Sequence, residues 1–232
     1  MTKVLMNEHG GATRVLAIRH GETAWNVDTR IQGQIDVGLN EVGQWQARRL
    51  ADWVASEERL AAVYSSDLQR AWHTAAALGA GAGLPVVAEP GLRERHFGAF
   101  EGHTVAEIET HFPDLVQPWR QREPDFSPEG GESLNRFYAR CVQTAERLAA
   151  AHPGETIALV AHGGVLDCLY RAAMGMAIEA PRTWQLGNAS INRLLFTGQR
   201  FTVIGWGDTF HLEGDVGLLD ESGDGGLAAR PS

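Results

Sequence analysis

The sequence predicts an α/β protein whose central sheet is mainly parallel and is covered by helices on both faces. Short, fully apolar runs are typical of strands that are buried on both sides. Segments with helical periodicity separate these runs, and this alternation favours a parallel sheet over a helical bundle. With 232 residues, 44% of them hydrophobic, the chain can bury such a core.

The strands are predicted from apolar runs bounded by polar residues. Buried strands are expected at Val15–Ile18, Ala61–Tyr64, Val86–Ala88 and Ile157–Ala161. A further pair, Ile191–Phe196 and Phe201–Trp206, is expected on either side of a turn around Thr197-Gly198.

The helices are predicted from capping residues and from apolar spacing. Asn40 is a suitable N-cap for a helix whose apolar residues are Val42, Trp45, Leu50 and Trp53. The stretch Ser66-Asp67-Leu68-Gln69 fits a capping box that opens a second helix. A later helix shows helical spacing of Leu134, Phe137, Cys141, Ala145 and Leu148.

The chain is expected to form one domain with loose ends. Residues 1–12 are polar and contain glycine, which predicts a flexible leader. Residues 213–232 are rich in Gly and Asp, which predicts a flexible tail. Residues 13–212 contain no linker, repeat or low-complexity block, so a single catalytic domain is expected there.

Charge and cysteine content restrict the partners and the compartment. A formal net charge of -9 argues against nucleic acid and anionic membranes as partners. No apolar stretch approaches the roughly 18 residues of a membrane span, and the first residues lack a secretory signal pattern. Cys141 and Cys168 are not in a C-x-x-C pair, which disfavours a cysteine-based zinc site. A cytoplasmic location is therefore expected.

Polar residues follow three of the predicted strands directly. Arg19 and His20 follow the first strand, Arg70 lies in the first turn after the second, and His162-Gly163 follows Ile157–Ala161. Ligands of parallel sheets bind beyond the carboxyl ends of the strands. If these strands are parallel, two histidines and two arginines share one edge of the sheet.

This combination of side chains suits one phosphoryl group. Two guanidiniums offer forked donors that match phosphate oxygens, and helix starts add free backbone N–H groups. A histidine between them can attack phosphorus and form a phosphoenzyme. Nearby arginines should lower the pKa of that histidine and keep it neutral and nucleophilic. Such a site needs no metal, and no cofactor is expected.

The leaving alkoxide also needs a proton. The stretch GLRERHFGAFEG offers Glu94 and Glu101, and the residue types alone do not decide between them. A carboxylic acid beside a bound phosphate dianion retains its proton, as an acid catalyst requires. His103 and His111 have a spacing that fits no common metal-ligand pair.

Seven motifs resemble those of the histidine phosphatase superfamily, in its phosphoglycerate-mutase-like branch. They stand in the family's order over about residues 14–210: RHGETAWN, RIQGQIDVGLNEVGQWQA, SSDLQRAWHTA, LRERHFGAFEG, EGGES, LVAHGG and GNASIN. The resemblance implies a three-layer α/β/α sandwich. It also implies that His20 is the phosphorylated nucleophile and that Glu94 is the proton donor. Arg19, Arg70 and His162 would complete the phosphate pocket. Positions that line it would be Thr23, Asn26, Gln32, Gly33 and Gly163.

The resemblance leaves the phosphoryl acceptor open. The segment from His103 to Gly131 is short and acidic and ends in PEGGES, which favours a phosphatase of small phosphomonoesters. Trp119-Arg120-Gln121-Arg122 instead resembles a cationic stretch of 2,3-bisphosphoglycerate-dependent phosphoglycerate mutases. Arg120 is therefore a candidate for binding a second anionic group, although it could equally be a solvated charge.

Two further expectations concern partners. A small phosphorylated molecule is the expected substrate, and an inactive phosphate-binding regulatory protein is the third functional hypothesis. The sequence leaves the oligomeric state open, and aromatic residues on the sheet edge would support a homodimer.

Overall fold

A computed structural model describes residues 11–213 of the chain. The flexible leader predicted for residues 1–12 and the flexible tail predicted for residues 213–232 lie almost entirely outside the described residues. Within residues 11–213, no helix is both long enough and apolar enough to cross a membrane.

One sheet of six strands organises the described residues. In chain order the strands are β1 (Thr13–Arg19), β2 (Ala62–Ser65), β3 (Val86–Ala88), β4 (Thr156–Ala161), β5 (Ile191–Phe196) and β6 (Phe201–Asp208). Their order in the sheet is β3-β2-β4-β1-β5-β6. The first four strands of that order pair in parallel, whereas β5 is antiparallel to both β1 and β6. The predicted mainly parallel sheet is confirmed.

Seven α-helices connect the strands in the described part of the chain. They are α1 (Ala24–Val27), α2 (Glu41–Glu57), α3 (Gln69–Ala82), α4 (Val105–His111), α5 (Pro113–Arg120), α6 (Leu134–Ala150) and α7 (Gly163–Met174). Short 3-10 turns lie at Pro90–Leu92, Gly98–Phe100 and Phe210–Leu212.

The two faces of the sheet bury different helices. Because side chains alternate along a strand, Val15 and Ala17 of β1 face a core built with α6 and α7. Leu16 and Ile18 face the opposite core, built with α2 and α3. These two cores make three layers, α/β/α, as expected. The apolar runs of the sequence arise because both faces of these strands are buried.

Three local predictions differ from the structure. Asn40 does cap α2, since its Oδ1 accepts from the Gly43 N–H at 2.8 Å. The buried face of α2, however, is Gly43, Ala47, Leu50, Ala51 and Val54, whereas Val42 is exposed. Small residues dominate this face because α2 packs closely against its neighbours: a Cβ on Gly43 would lie 2.1 Å from the Glu22 carbonyl oxygen.

The capping box predicted at Ser66–Gln69 is wrong. Helix α3 begins at Gln69, and its N-cap, Leu68, makes no side-chain cap hydrogen bond. The Gln69 N–H donates instead to Asp36 Oδ1 at 2.7 Å, so a distant loop supplies the cap. Strand β3 forms as predicted but lies at the sheet edge, where Val87 is exposed rather than buried.

The segment between β3 and α6 forms a third, smaller core. Phe100, Ile108 and Val116 are buried in it, and the Trp119 ring packs on Phe100 with centroids 5.6 Å apart. Arg30 ties this segment to the rest of the fold through Glu107, at 2.8 Å. Helices α4 and α5 are thereby held close to the carboxyl edge of the sheet.

Candidate active site

The carboxyl ends of β1 and β4 meet at one edge of the sheet. Arg19 is in register with Ala161, and the His20 N–H donates to the Ala161 carbonyl at 3.0 Å. The residues after both strands are therefore neighbours. The rings of His20 and His162 have centroids 5.2 Å apart, which is the convergence that the strand exits predicted.

His20 is held in one tautomer. Its Nδ1 lies 2.7 Å from the Gly21 carbonyl oxygen, and because a carbonyl only accepts, Nδ1 carries the proton. The lone pair is therefore on Nε2. Burial, followed by the charges of Arg19 and Arg70, lowers the pKa of His20 well below 6.5. A neutral imidazole with a free Nε2 lone pair is the nucleophilic form.

Arg70 is almost completely buried and is held by uncharged acceptors. Its Nη1 and Nη2 donate to the carbonyls of Ile35 and Gly33 at 2.9 and 2.7 Å. Its Nε donates to His162 Nδ1 at 3.2 Å. Burial lowers the pKa of Arg70 to about 10, which leaves the guanidinium charged at neutral pH. No carboxylate neutralises this charge within hydrogen-bonding distance in residues 11–213.

His162 fixes the direction of Arg70. Since an arginine Nε only donates, His162 Nδ1 is unprotonated and Nε2 carries the proton. Nε2 lies 2.8 Å from Ser66 Oγ and donates to it. Burial, and then the charge of Arg70, lowers the pKa of His162 well below 6.5. His162 is therefore a neutral connector between the start of α3 and the guanidinium.

Arg19 is the second guanidinium at this edge. Its Nη1 donates to the Leu186 carbonyl, again an uncharged acceptor. Its Nε is buried and has no hydrogen-bond partner among the described residues. Burial lowers the pKa of Arg19 from its ordinary value.

The two candidate acids occupy different places. Glu94 Oε2 accepts from the Gly164 N–H at 2.9 Å, and Glu94 lines the same cavity as His20. Glu101 Oε1 accepts from two backbone N–H groups at 2.9 Å and holds the loop before α4 in place. Only Glu94 of this pair lines the cavity.

A cavity of about 250 Å³ lies at this edge of the sheet, and His162, which is fully buried, does not line it. It is lined by Arg19, His20, Asn26, Arg30, Ile31, Gln32, Gly33, Arg70, Glu94, Phe97, Trp119 and Gly163. Two guanidiniums, a neutral histidine and a carboxyl group in one cavity match a tetrahedral anion. Trp119 of α5 also lines this cavity.

The remaining predicted residues are distributed around this cavity. Asn26, Gln32, Gly33 and Gly163 line it directly. Thr23 is fully buried behind it and caps α1, since its Oγ1 accepts from the Asn26 N–H at 3.1 Å. Thr23 therefore orients Asn26 and does not line the cavity itself.

Arg120 is not brought to the cavity. It lies near the end of α5 with 55% of its side chain exposed, and it pairs with Glu109 of α4. The expectation that Arg120 binds a second anionic group finds no support in this placement. Its neighbour Arg122 pairs with Asp167 at 2.9 Å.

Three further residues of the site were not among the predicted catalytic and substrate-binding residues. Ser66 accepts from His162, and Asn188 Nδ2 donates to the His20 carbonyl at 3.1 Å. Gly164 leaves room for Glu94, because a Cβ there would lie 2.2 Å from Glu94 Oε1. All three fall in stretches that the family resemblance covers, namely SSDLQRAWHTA, GNASIN and LVAHGG, so the signal was present without an assigned role.

A neutral histidine beside two guanidiniums, with a carboxyl group in the same cavity, suits phosphoryl transfer. The chain belongs to the histidine phosphatase superfamily (branch 1), whose family model matches residues 15–209. The resemblance predicted from the motifs is confirmed. Residues 11–213 contain no cluster of three or more His, Cys, Asp or Glu side chains placed to hold a metal ion.

Two plant proteins are among the similar sequences. Phosphoglycerate mutase-like protein 4 of Arabidopsis thaliana is 40% identical over 91% of this chain and 91% of its own length. Metal-independent phosphoserine phosphatase of the same species is 39% identical over 92% of this chain and 88% of its own length. The solved structure of a mycobacterial glucosyl-3-phosphoglycerate phosphatase has a TM-score of 0.76 and 33% identity, and covers 85% of this chain and 100% of that chain.

Proposed function

We propose that this protein is a phosphatase that hydrolyses small phosphomonoesters through a phosphohistidine formed on His20. The observation that carries the proposal is the state of this ring. His20 is neutral and its Nδ1 donates to the Gly21 carbonyl. Its Nε2 has no hydrogen-bond partner among residues 11–213 and lies in the cavity that Arg19 and Arg70 also line. Family membership supports the same chemistry.

In the first step, His20 Nε2 attacks phosphorus and the bond from phosphorus to the ester oxygen breaks. The negative charge on the equatorial oxygens is stabilised by Arg19 and Arg70. Glu94, in its protonated form, gives its proton to the departing alkoxide, which leaves as an alcohol. The products of this step are phospho-His20, the alcohol and the Glu94 carboxylate.

In the second step, water attacks phosphorus opposite His20 Nε2. The Glu94 carboxylate accepts a proton from that water, and the bond between phosphorus and nitrogen breaks. Inorganic phosphate leaves, the lone pair returns to Nε2, and Glu94 is protonated again. His162 keeps Arg70 aimed at the phosphoryl group throughout, because its Nδ1 accepts the Arg70 Nε–H.

Water is the favoured phosphoryl acceptor because few unpaired cations of residues 11–213 lie around the mouth of the phosphate cavity, which we call its rim. Arg120 pairs with Glu109, and Arg122 is held by Asp167, a carboxylate that it shares with Arg171. The segment that resembled a mutase stretch therefore offers little to hold a second phosphoryl acceptor. Two similar proteins are named as phosphatases, of phosphoserine and of glucosyl-3-phosphoglycerate. We extend this to small phosphorylated metabolites as the substrates of this chain, and the buried free thiols of Cys141 and Cys168 suit the reducing cytoplasm.

Phosphoglycerate mutase activity is the second candidate, because the relative with 40% identity carries a mutase-like name. The two are distinguished by supplying 3-phosphoglycerate with a trace of the 2,3-bisphosphate. The phosphatase proposal predicts phosphate release faster than isomer formation. The opposite order of rates would replace it with the mutase.

The proposal as a whole is tested with p-nitrophenyl phosphate, with and without EDTA. We expect turnover that EDTA does not reduce and that His20→Ala abolishes. Absence of turnover on this ester and on a panel of phosphometabolites would instead favour the inactive, phosphate-binding protein.

A further inference from the structure

A second cavity opens beside the phosphate cavity. It has a volume of about 660 Å³ and shares Arg19, Glu94 and Gly163 with the first. Its outer wall is the chain segment 182–187, which lies between α7 and β5. The alcohol portion of a bound ester would extend from the phosphate cavity toward this wall, because the proposed acid, Glu94, lines both cavities.

Arg182 is the cation of this outer wall. It is exposed, and within residues 11–213 it makes no hydrogen bond and no ion pair. It also lines a third cavity, of about 210 Å³, that Glu94 and Arg122 border as well. Other arginines nearby have carboxylate partners: Arg120 pairs with Glu109, and Arg122 shares Asp167 with Arg171.

The segment that carries Arg182 is fixed on both sides. Before it, Arg171 Nη1 donates to the Ala177 carbonyl at 2.7 Å. After Arg182, the Trp184 ring stacks on Tyr170 with ring centroids 4.1 Å apart. The Trp206 indole also donates to the Gln185 carbonyl at 3.0 Å. The anchored backbone therefore places Arg182 at the edge of the cavity, where it has no partner among residues 11–213.

The Arg182 charge already acts on the site. It contributes to the lowered pKa of Arg19, after the larger effect of burial. Two like charges that share a cavity are stabilised by an anion that approaches both. A phosphoryl group satisfies Arg19, which leaves Arg182 to a second anionic group on the same ligand.

We propose that Arg182 is a specificity-determining residue that binds a carboxylate on the substrate, so that phosphomonoesters bearing a carboxylate are preferred over neutral ones. This inference rests on the proposed phosphatase function. A carboxylate fits better than a second phosphate, because one guanidinium matches one carboxylate in forked geometry. A phosphate at this wall would bring more negative charge beside Glu94 with one cation to balance it.

The test uses two esters that differ at one group. 3-Phosphoglycerate carries a carboxylate where glycerol 3-phosphate carries a hydroxymethyl group. For Arg182→Gln we expect kcat/KM for 3-phosphoglycerate to fall about tenfold, mainly through KM, as for a lost charge-assisted pair. The value for glycerol 3-phosphate should change less than about twofold. Arg182→Lys should retain part of the preference, and Arg120→Gln, the matched exposed arginine, should leave both esters unchanged.

Binding measurements separate this inference from the proposed reaction. In a His20→Ala background, which cannot turn over, calorimetry measures the affinity of both esters with and without Arg182→Gln. A selective loss for 3-phosphoglycerate supports the inference even if the protein proves to be no phosphatase. Equal losses for the two esters, or no loss for either, would overturn it whatever the catalytic activity of the wild type.

Discussion

The phosphate cavity and its outer rim hold their arginines in opposite ways. Inside, Arg70 is bound by two backbone carbonyls and an imidazole, and Arg19 by one carbonyl, all uncharged. At the rim, Arg120 is bound by the Glu109 carboxylate, and Arg122 by the Asp167 carboxylate, which it shares with Arg171. Uncharged acceptors orient a guanidinium and leave its charge available, whereas a carboxylate orients it and cancels the charge. The difference indicates where this protein keeps positive charge for a ligand.

The largest effect that follows from this comparison is the loss of an inner arginine. We expect Arg70→Ala to lower kcat/KM by about 10²–10³-fold, since its charge stabilises the transition state. Arg120→Ala should change kcat/KM less than about twofold. Steady-state kinetics with p-nitrophenyl phosphate measures both, and thermal melting of Arg70→Ala verifies that it is folded. Comparable losses in the two variants would remove the distinction between cavity and rim.

Glu94 lies where the cavity meets the rim, and the rate loss caused by its replacement should depend on the leaving group. Glu94→Gln keeps an acceptor for the Gly164 N–H but cannot supply the acid proton. We expect about a 10²-fold loss for alkyl esters and a much smaller one for p-nitrophenyl phosphate, whose leaving group needs no proton. Glu101→Gln serves as the control outside the cavity. Equal slowing of both ester types by Glu94→Gln would rule out the acid role.

Two adjacent glycines at the start of α7 provide a finer comparison. A Cβ on Gly164 would lie 2.2 Å from Glu94 Oε1, whereas a Cβ on Gly163 would lie 3.6 Å from Arg19 Nε. Gly164→Ala should therefore displace the acid and reduce kcat for alkyl esters by tens of fold, up to about 10². Gly163→Ala should cost less than about threefold. A larger loss for Gly163→Ala than for Gly164→Ala would show that the space left by glycine serves the phosphate and not Glu94.

The smallest expected effect is on stability against pH. His20 and His162 have lowered pKa values in the folded protein, and His211 shares this direction, so the unfolded chain binds protons first as pH falls below about 6.5. The free energy of unfolding should therefore be greatest above this pH and decrease below it. Each histidine contributes at most about 1.4 kcal/mol per pH unit.

Urea titrations between pH 7.5 and 5.5 measure this dependence. His20→Asn removes one titrating group, so its unfolding free energy should fall less steeply with decreasing pH than that of the wild type. Identical pH dependence in the two proteins would mean that the His20 pKa is not lowered by folding.

The centre of the site was predictable because topology places it. Parallel strands end at one edge, so Arg19, His20 and His162 converge wherever those strands pair. The choice of Glu94 over Glu101 as the proposed acid needed the family resemblance, since residue types did not separate the two. The fold and the positions of the strands were predictable for one reason. A strand that is buried on both faces has a continuous apolar run in the sequence.

The rim could not be predicted, because it depends on which partner each charge finds. Arg120 and Arg182 look alike in the sequence, yet the turn between α4 and α5 brings Glu109 to Arg120, while nothing acidic pairs with Arg182 among the described residues. The prediction of which residues α2 buries was wrong for a related reason. Packing against close neighbours selected Gly43 and Ala47 over the larger Val42.

The central claim is that His20 Nε2 carries the phosphoryl group during turnover. Rapid alkaline quenching after mixing with p-nitrophenyl phosphate, followed by peptide mass spectrometry, would locate that group. The account predicts an acid-labile phosphoryl group on the peptide containing His20 and none in His20→Ala. A phosphoryl group that stays on the His20→Ala protein, or that maps to His162, would contradict it.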